Sequence, residues 1–158
     1  MRYWLVKTEP ESFSIQDLAA TADQTTCWDG VRNYQARNFL RDDMKLGDRV
    51  LIYHSNADPP AAVGTAKVVR ESYPDSSAWD KRSKYYDEGS TADNPRWFMV
   101  DLQLDEIFPR PLPLAELRDM PKLDDMELLR KGSRLSVQPV KKSEFDAILA
   151  AAKKGPRT

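Results

Sequence analysis

Residues 48–53 (DRVLIY) and 61–69 (AAVGTAKVV) decide the fold. The first run is apolar at successive positions, so both of its faces are covered and it lies centrally in a sheet. Asp58-Pro59-Pro60 forces a loop between the two runs. Gly64, inside the second, marks a bulge, a bend or close approach of another segment. Working outward, residues 3–8 (YWLVKT) are aromatic and β-branched, and read as a strand ending at Glu9-Pro10. In residues 97–104 (WFMVDLQL), Phe98, Val100, Leu102 and Leu104 point one way, and Asp101 and Gln103 the other. Pro109, Pro111 and Pro113 are expected to break that strand, with Pro113 opening a short helix through Leu117. Residues 133–137 (SRLSV) read as short and extended. Ser14 is expected to cap a short helix ending near Ala20, with Asp17 in the capping box and Phe13 stapled onto Leu18. A second helix starts at Asn33 and stops by Gly47. One or two helical turns follow at 123–129. A last helix covers 142–152, with Phe145, Ile148 and Leu149 as its core stripe. Residues 21–26 read as a polar loop, and 72–94 as a long polar segment without period. Strands dominate the core and the connections are irregular rather than βαβ crossovers. The expectation is an α+β fold around a small, mostly antiparallel, barrel-like sheet with peripheral helices.

The bulk numbers set bounds. With 158 residues the chain fits one domain, here taken as 1–152 with a basic tail at 153–158. A net charge of -1 means that any nucleic-acid binding needs a local basic patch. Cys27 and His54 are the one cysteine and one histidine, so no internal disulfide forms and a Cys/His zinc site is not expected. No apolar run approaches membrane-spanning length, and residues 1–6 enter a strand pattern at once. A cytoplasmic protein, or a nuclear one in a eukaryotic cell, is expected, with no membrane, metal or cofactor.

The segment richest in chemistry is Trp28-Asp29-Gly30-Val31-Arg32-Asn33-Tyr34-Gln35-Ala36-Arg37-Asn38-Phe39. Gly30 permits a tight turn or close approach of a ligand. Asn33 suits a helix N-cap. In the helix that follows, Ala36, Phe39 and Leu40 share one face, and Tyr34, Arg37, Asn38 and Arg41 the other. Flat rings beside guanidinium forks are the groups that recognise a base or a phosphate. A capped surface helix with a structural Trp is the plainer reading.

Other constellations have the same two-sided character. Trp28, Tyr34, Trp97 and Trp4 are candidate stacking residues, although large aromatics are commonly core, and Trp4 reads as core. Lys7-Thr8-Glu9 and His54-Ser55-Asn56 both leave strand ends, where side chains can line a cleft. Arg134, Ser136 and Gln138 alternate, so they project from one strand face as a hydrogen-bonding row, or as a solvated edge. Arg32, Arg37 and Arg41, with Lys81, Arg82 and Lys84, could form the basic patch; interleaved Asp29, Asp42, Asp43, Asp80 and Asp87 argue for a solvated mixture. Phosphate-cradling and nucleophile-elbow motifs are absent. A Cys27–His54 nucleophile pair lacks an evident orienting group. Two rival functions remain: an enzyme acting on a nucleotide or small ligand with His54 as base, and a protein–protein adaptor using residues 72–94.

Seven strings in order, YWLVKTEP (3–10), WDGVRNYQARNFLR (28–41), GDRVLIYHSN (47–56), VGTAKVV (63–69), YPDSSAWD (73–80), NPRWFMVDL (94–102) and GSRLSVQPV (132–140), resemble the EVE domain, a PUA-like family related to the YTH domain. The resemblance spans roughly residues 1–150. It implies a small bent β-barrel with helices packed around it. It also implies a non-enzymatic module that reads a modified base in DNA or RNA, such as 5-methylcytosine or an oxidised form, in an aromatic pocket. Carried over by matching strings, the pocket residues are Lys7, Thr8, Glu9, Trp28, Gly30, Val31, Arg32, Asn33, Tyr34, Arg37, Asn38, His54, Ser55, Asn56, Arg134, Ser136 and Gln138. Trp28 is one expected wall, and Tyr34 or Trp97 the second. Ser55, Asn33 and Gln138 are expected to read the base edge, and Lys7, Arg37 and Arg134 to meet phosphate. EVE domains are often fused to restriction or other defence modules; the stand-alone form is the expectation here.

Overall fold

The computed structural model describes residues 1–154, so residues 155–158 of the expected tail lie outside the description. One mixed sheet holds six strands: β1 (Tyr3–Thr8), β2 (Thr25–Cys27), β3 (Arg49–His54), β4 (Ala61–Pro74), β5 (Phe98–Pro113) and β6 (Val137–Val140). Its order is β2-β5-β4-β3-β1-β6. Four pairings are antiparallel and one, β1 with β3, is parallel. The sheet is not closed: β2 and β6 form its two edges, so the barrel is a bent open sheet. Among the described residues four α-helices flank it: α1 (Ile15–Ala20), α2 (Tyr34–Asn38), α3 (Leu114–Arg118) and α4 (Lys142–Lys153).

The strand sequences explain why the core has two sides. Successive side chains of a strand face opposite ways. In β3, Val50 and Ile52 enter one apolar cluster with Trp4, Val6 and Trp28, while Leu51 and Tyr53 enter the other with Leu5, Phe145 and Ile148. That doubly buried strand is central, as its uninterrupted apolar run requires. Trp4 is core: its indole N–H donates to buried Asp48 at 3.0 Å. Gly64 sits at a register shift between β4 and β5, and a Cβ there would collide with the Glu106 carbonyl and Ile15.

Several expectations change. The prolines do not end β5, which runs on to Pro113. β2 covers β5 only at residues 101–103, so the proline-bearing half is an edge on that side. The pairing with β4 also jumps from Ile107 to Leu112, bulging Pro109 and Pro111 out of the ladder. A missing N–H is tolerated at edges and bulges. Residues 25–27 are a short edge strand instead of loop. β4 extends five residues past Val69. The last strand starts at Val137, leaving Arg134 and Ser136 in the approach to it. The helix from Asn33 is one short α-turn that widens into a five-residue π-turn at Phe39–Asp43; Ala36 and Leu40 are buried as expected. The α1 capping box forms as read: Asp17 N–H donates to Ser14 Oγ at 3.0 Å, and Ser14 N–H to Asp17 Oδ2 at 2.9 Å.

Candidate functional site

The parallel pairing of β1 and β3 builds the floor of the site. Their C-terminal ends leave the sheet together, with Thr8 opposite His54 and Ser55 N–H donating to the Thr8 carbonyl at 3.0 Å. The Lys7 N–H donates to the Ser136 carbonyl at 2.9 Å, which draws in the segment before β6. The fourth segment arrives from β2: Trp28 N–H donates to the Val100 carbonyl at 2.8 Å, hanging the indole over the strand ends. The result is an open cleft of about 680 Å³. That volume lies within the usual range for ligand sites.

Nine of the expected residues line this cleft: Lys7, Thr8, Glu9, Trp28, Gly30, Val31, Ser55, Arg134 and Ser136. Trp28 is only 7% exposed, yet it forms part of the cleft wall. Phe13 meets it edge to face, with ring centroids 6.2 Å apart, so Phe13 serves the cleft wall. The wall carries a further ring, Tyr85, from the aperiodic segment. Gly30 explains its position: φ is +80°, and a Cβ there would lie 2.5 Å from Tyr85 Cζ. Glycine both permits that backbone turn and leaves room for the phenol.

A buried carboxylate holds this wall. Asp75 is fully buried and accepts from Gly30 N–H at 2.8 Å, from the Arg32 guanidinium at 3.1 Å and from Ser77 N–H at 2.9 Å. Arg32 also donates to the Tyr85 carbonyl at 3.0 and 2.8 Å. Arg32 is therefore a positioning group behind the wall and does not line the cleft.

The other expected residues take different places. Asn33 caps α2, accepting from Ala36 N–H at 2.9 Å. Tyr34 stacks on Trp97 with centroids 4.9 Å apart, and Arg37 lies over both rings. Trp97 is buried and its indole N–H donates to Asp87 at 2.7 Å, a bond that lowers the Asp87 pKa. Tyr34 and Trp97 thus form a separate outer stack, and neither supplies the cleft's second aromatic wall. Asn38 accepts from Arg37. His54 Nε2 accepts from Ile15 N–H at 3.1 Å, and burial lowers the imidazole pKa. Its lone pair is committed to the start of α1. Asn56 lines a neighbouring cleft. Gln138 is fully buried: it donates to the Leu135 carbonyl at 2.9 Å and its Oε1 has no partner. The alternation argument fails there because the strand begins only at Val137, so Arg134 and Ser136 face the cleft while Gln138 turns inward. The expected basic patch is also split, with Arg32 held internally, Arg41 paired to Asp42, and Lys84 alone at the cleft.

Reading the sequence missed Ser12, Phe13, Thr26, Cys27 and Tyr85 as cleft residues; Asp29 lies in the segment it singled out, and Lys84 in its expected basic patch. The glycine of Trp28-Asp29-Gly30 signalled close approach without saying by what. Electrostatics grade what the cleft can do. Burial lowers the Lys7 pKa, against the opposing pull of Glu127. Burial, then Asp75, raise the Asp29 pKa. Burial, then Asp29 and Asp101, raise the Cys27 pKa, the opposite of an activated thiol. Among the described residues, Lys7 Nζ, the Ser55 and Ser136 hydroxyls, the Arg134 guanidinium and the Trp28 indole N–H have no protein partner. An open cleft with an indole, a phenol and unpaired donors suits a planar, acceptor-bearing ligand. Among the described residues no helix is long and apolar enough to cross a membrane, and no group of three His, Cys, Asp or Glu side chains is placed to hold a metal.

Known proteins share this architecture. The chain is 46% identical over 171 residues to thymocyte nuclear protein 1 of Homo sapiens, an alignment covering 98% of this chain and 75% of that protein. The crystal structure of the human THYN1 protein in complex with DNA containing 5-methylcytosine superposes with a TM-score of 0.93 at 46% identity, covering 99% of this chain and 100% of that one. A Pseudomonas syringae protein superposes with a TM-score of 0.90 at 44% identity, covering 95% and 99%. The EVE domain matches residues 2–151. With fold and near-complete sequence coverage agreeing, the chain belongs to the EVE domain family.

Proposed function

We propose that this chain is a non-catalytic reader that takes one modified base of a nucleic acid, 5-methylcytosine in DNA foremost, into the cleft beside Trp28. The observation that carries the reading is the nearly buried indole that still forms the wall of an open cleft equipped with unpaired donors. Its likeness to a protein crystallised with 5-methylcytosine DNA supports the choice of base. Trp28 and Tyr85 supply the ring faces, and Phe13 braces Trp28 from the side. Ser55 and Ser136 offer donors to the ring carbonyl and nitrogen, while Glu9 or Asp29 accepts from the exocyclic amine. Arg134 and Lys84 meet phosphate at the mouth. A base reaches such a cleft only by leaving the stack, at a cost of a few kcal/mol, so unpaired or distorted sites bind best. The chain works where its nucleic acid lies, in the cytoplasm or in a eukaryotic nucleus.

Calorimetric titration with matched oligonucleotides, methylated and unmodified, DNA and RNA, tests this. Wild type favours the methylated strand. Tyr85→Ala and Trp28→Ala each weaken it by about 5- to 150-fold, the value of one base–aromatic stack of about 1–3 kcal/mol. Tyr34→Ala leaves it unchanged, because Tyr34 lies outside the cleft. Equal, weak binding of every strand by wild type overturns the proposal. Since Trp28 is also core, Tyr85→Ala is the decisive variant if Trp28→Ala unfolds.

A further inference from the structure

Beside the base cleft lies a second one of about 560 Å³, and the two share Lys7 and Ser55 in their linings. Its other charged residues are Arg118, Arg130 and Lys131, and no Asp or Glu lines it. That bias is local, since the whole chain carries 25 acidic and 24 basic residues. Glu127, just outside, pairs with Arg130 at 3.1 Å, accepts from Ser133, and raises the Lys7 pKa. Arg118 and Lys131 are exposed and form no salt bridge among the described residues. Like charges left unpaired around one concavity create a field that only an anion relieves. Continuity through Lys7 and Ser55 says which anion: one covalently joined to whatever fills the first cleft.

We propose that the second cleft is a phosphate channel for the strand whose base sits beside Trp28. This rests on the base-reading proposal and adds the path of the backbone. Lys7 stands at the junction, and Arg118 and Lys131 are the free cations. Phosphate could come from the strand or from a free mononucleotide; the channel serves the strand.

The test compares wild type, the double variant Arg118→Gln/Lys131→Gln, and a control pair, Lys45→Gln/Lys67→Gln, exposed residues that line neither cleft. All substituted side chains are exposed, so folding is retained. The probe is a methylated single-stranded oligonucleotide titrated across a salt series. Each lost phosphate contact reduces the slope of log K against log salt by about 0.7. The double variant therefore loses about 1.4 of slope, and the control none. Binding of the neutral nucleoside 5-methyl-2′-deoxycytidine is unchanged in both. Its 5′-monophosphate is weakened less than the oligonucleotide. An unchanged slope in the double variant overturns the channel, as does an equal loss for monophosphate and oligonucleotide. Wild type that binds the nucleoside while the slope stays fixed separates failure of the channel from failure of the base reading.

Discussion

Substituting Gly30 by alanine separates two costs that coincide at that position. One is conformational: φ is +80°, where a Cβ costs roughly 1–2 kcal/mol. Alanine also restricts the unfolded chain, recovering about 0.4–1 kcal/mol, so the net penalty is about 1 kcal/mol. The other cost is steric, because the new Cβ would lie 2.5 Å from Tyr85 Cζ and the ring must retreat by roughly an ångström. Overpacking of that kind adds about 1–3 kcal/mol. Gly47 and Gly132 isolate the first cost, since both have positive φ, +85° and +78°, with nothing within 4 Å of an added Cβ. Thermal unfolding should show Gly47→Ala and Gly132→Ala lowering Tm by roughly 2–4 °C, and Gly30→Ala by two to four times as much. Gly30→Ala should also lose affinity for the methylated strand, because the displaced phenol is the cleft's second wall. Equal Tm losses at all three glycines, with binding intact at Gly30, would refute the assignment of Tyr85 to that wall.

Two further outcomes probe single polar groups. Burial holds the Lys7 pKa below its ordinary value, so between the two values the unfolded chain binds more protons and stability rises with pH on the approach to the ordinary lysine range. Lys7→Met should flatten that rise in urea titrations at alkaline pH and raise stability at neutral pH, while lowering the salt slope of strand binding by about 0.7; an unaltered salt slope would take Lys7 out of the phosphate path. Gln138→Met trades one hydrogen bond, about 0.5–1.5 kcal/mol, for relief of an orphaned buried oxygen, about 1–3 kcal/mol. Urea unfolding should find the variant as stable as wild type or about 1 kcal/mol more so, and a clear loss of stability would mean that the bond to the Leu135 carbonyl outweighs the orphaned Oε1.

Strand identities were legible because period and branching act within a few residues. DRVLIY read as central, and Gly64 as a bulge, a bend or a close approach; a register shift and a close approach both occur there. The prolines of β5 misled because local chemistry forbids a ladder bond, whereas the fold offers an edge and a bulge where none is needed. The site divides in the same way. Strand ends such as Lys7-Thr8-Glu9 and Ser55 could be found from sequence, since a polar residue leaving an apolar strand has few places to go. Tyr85 could not, because its place depends on Asp75, Arg32 and Gly30 meeting across more than forty residues of chain. Tyr34, Arg37 and Trp97 have the composition of a base pocket and became an outer stack, since helix periodicity assigns a face and not what that face meets.

The distribution of satisfied and unsatisfied polar groups itself argues for the cleft's role. Behind the wall almost everything is paired: Asp75 takes three partners, Arg32 divides its donors between Asp75 and the Tyr85 carbonyl, and Trp97 donates to Asp87. In front of it, Lys7, Ser55, Ser136, Arg134 and the Trp28 indole N–H have no protein acceptor among the described residues. A chain able to satisfy a carboxylate fully inside its core has the means to satisfy donors at the edge, and Glu9 and Asp29 are near enough to line the same cleft. Water meets those donors in the free protein, and a ligand must return each bond that it displaces. On the proposed reading the cleft discriminates by chemistry as well as shape: a purely apolar ring strands the donors, whereas a heterocycle carrying a carbonyl and an amine satisfies both the donors and the carboxylates. Rigid pairing behind the rings and open valence in front of them is the arrangement that a base reader requires.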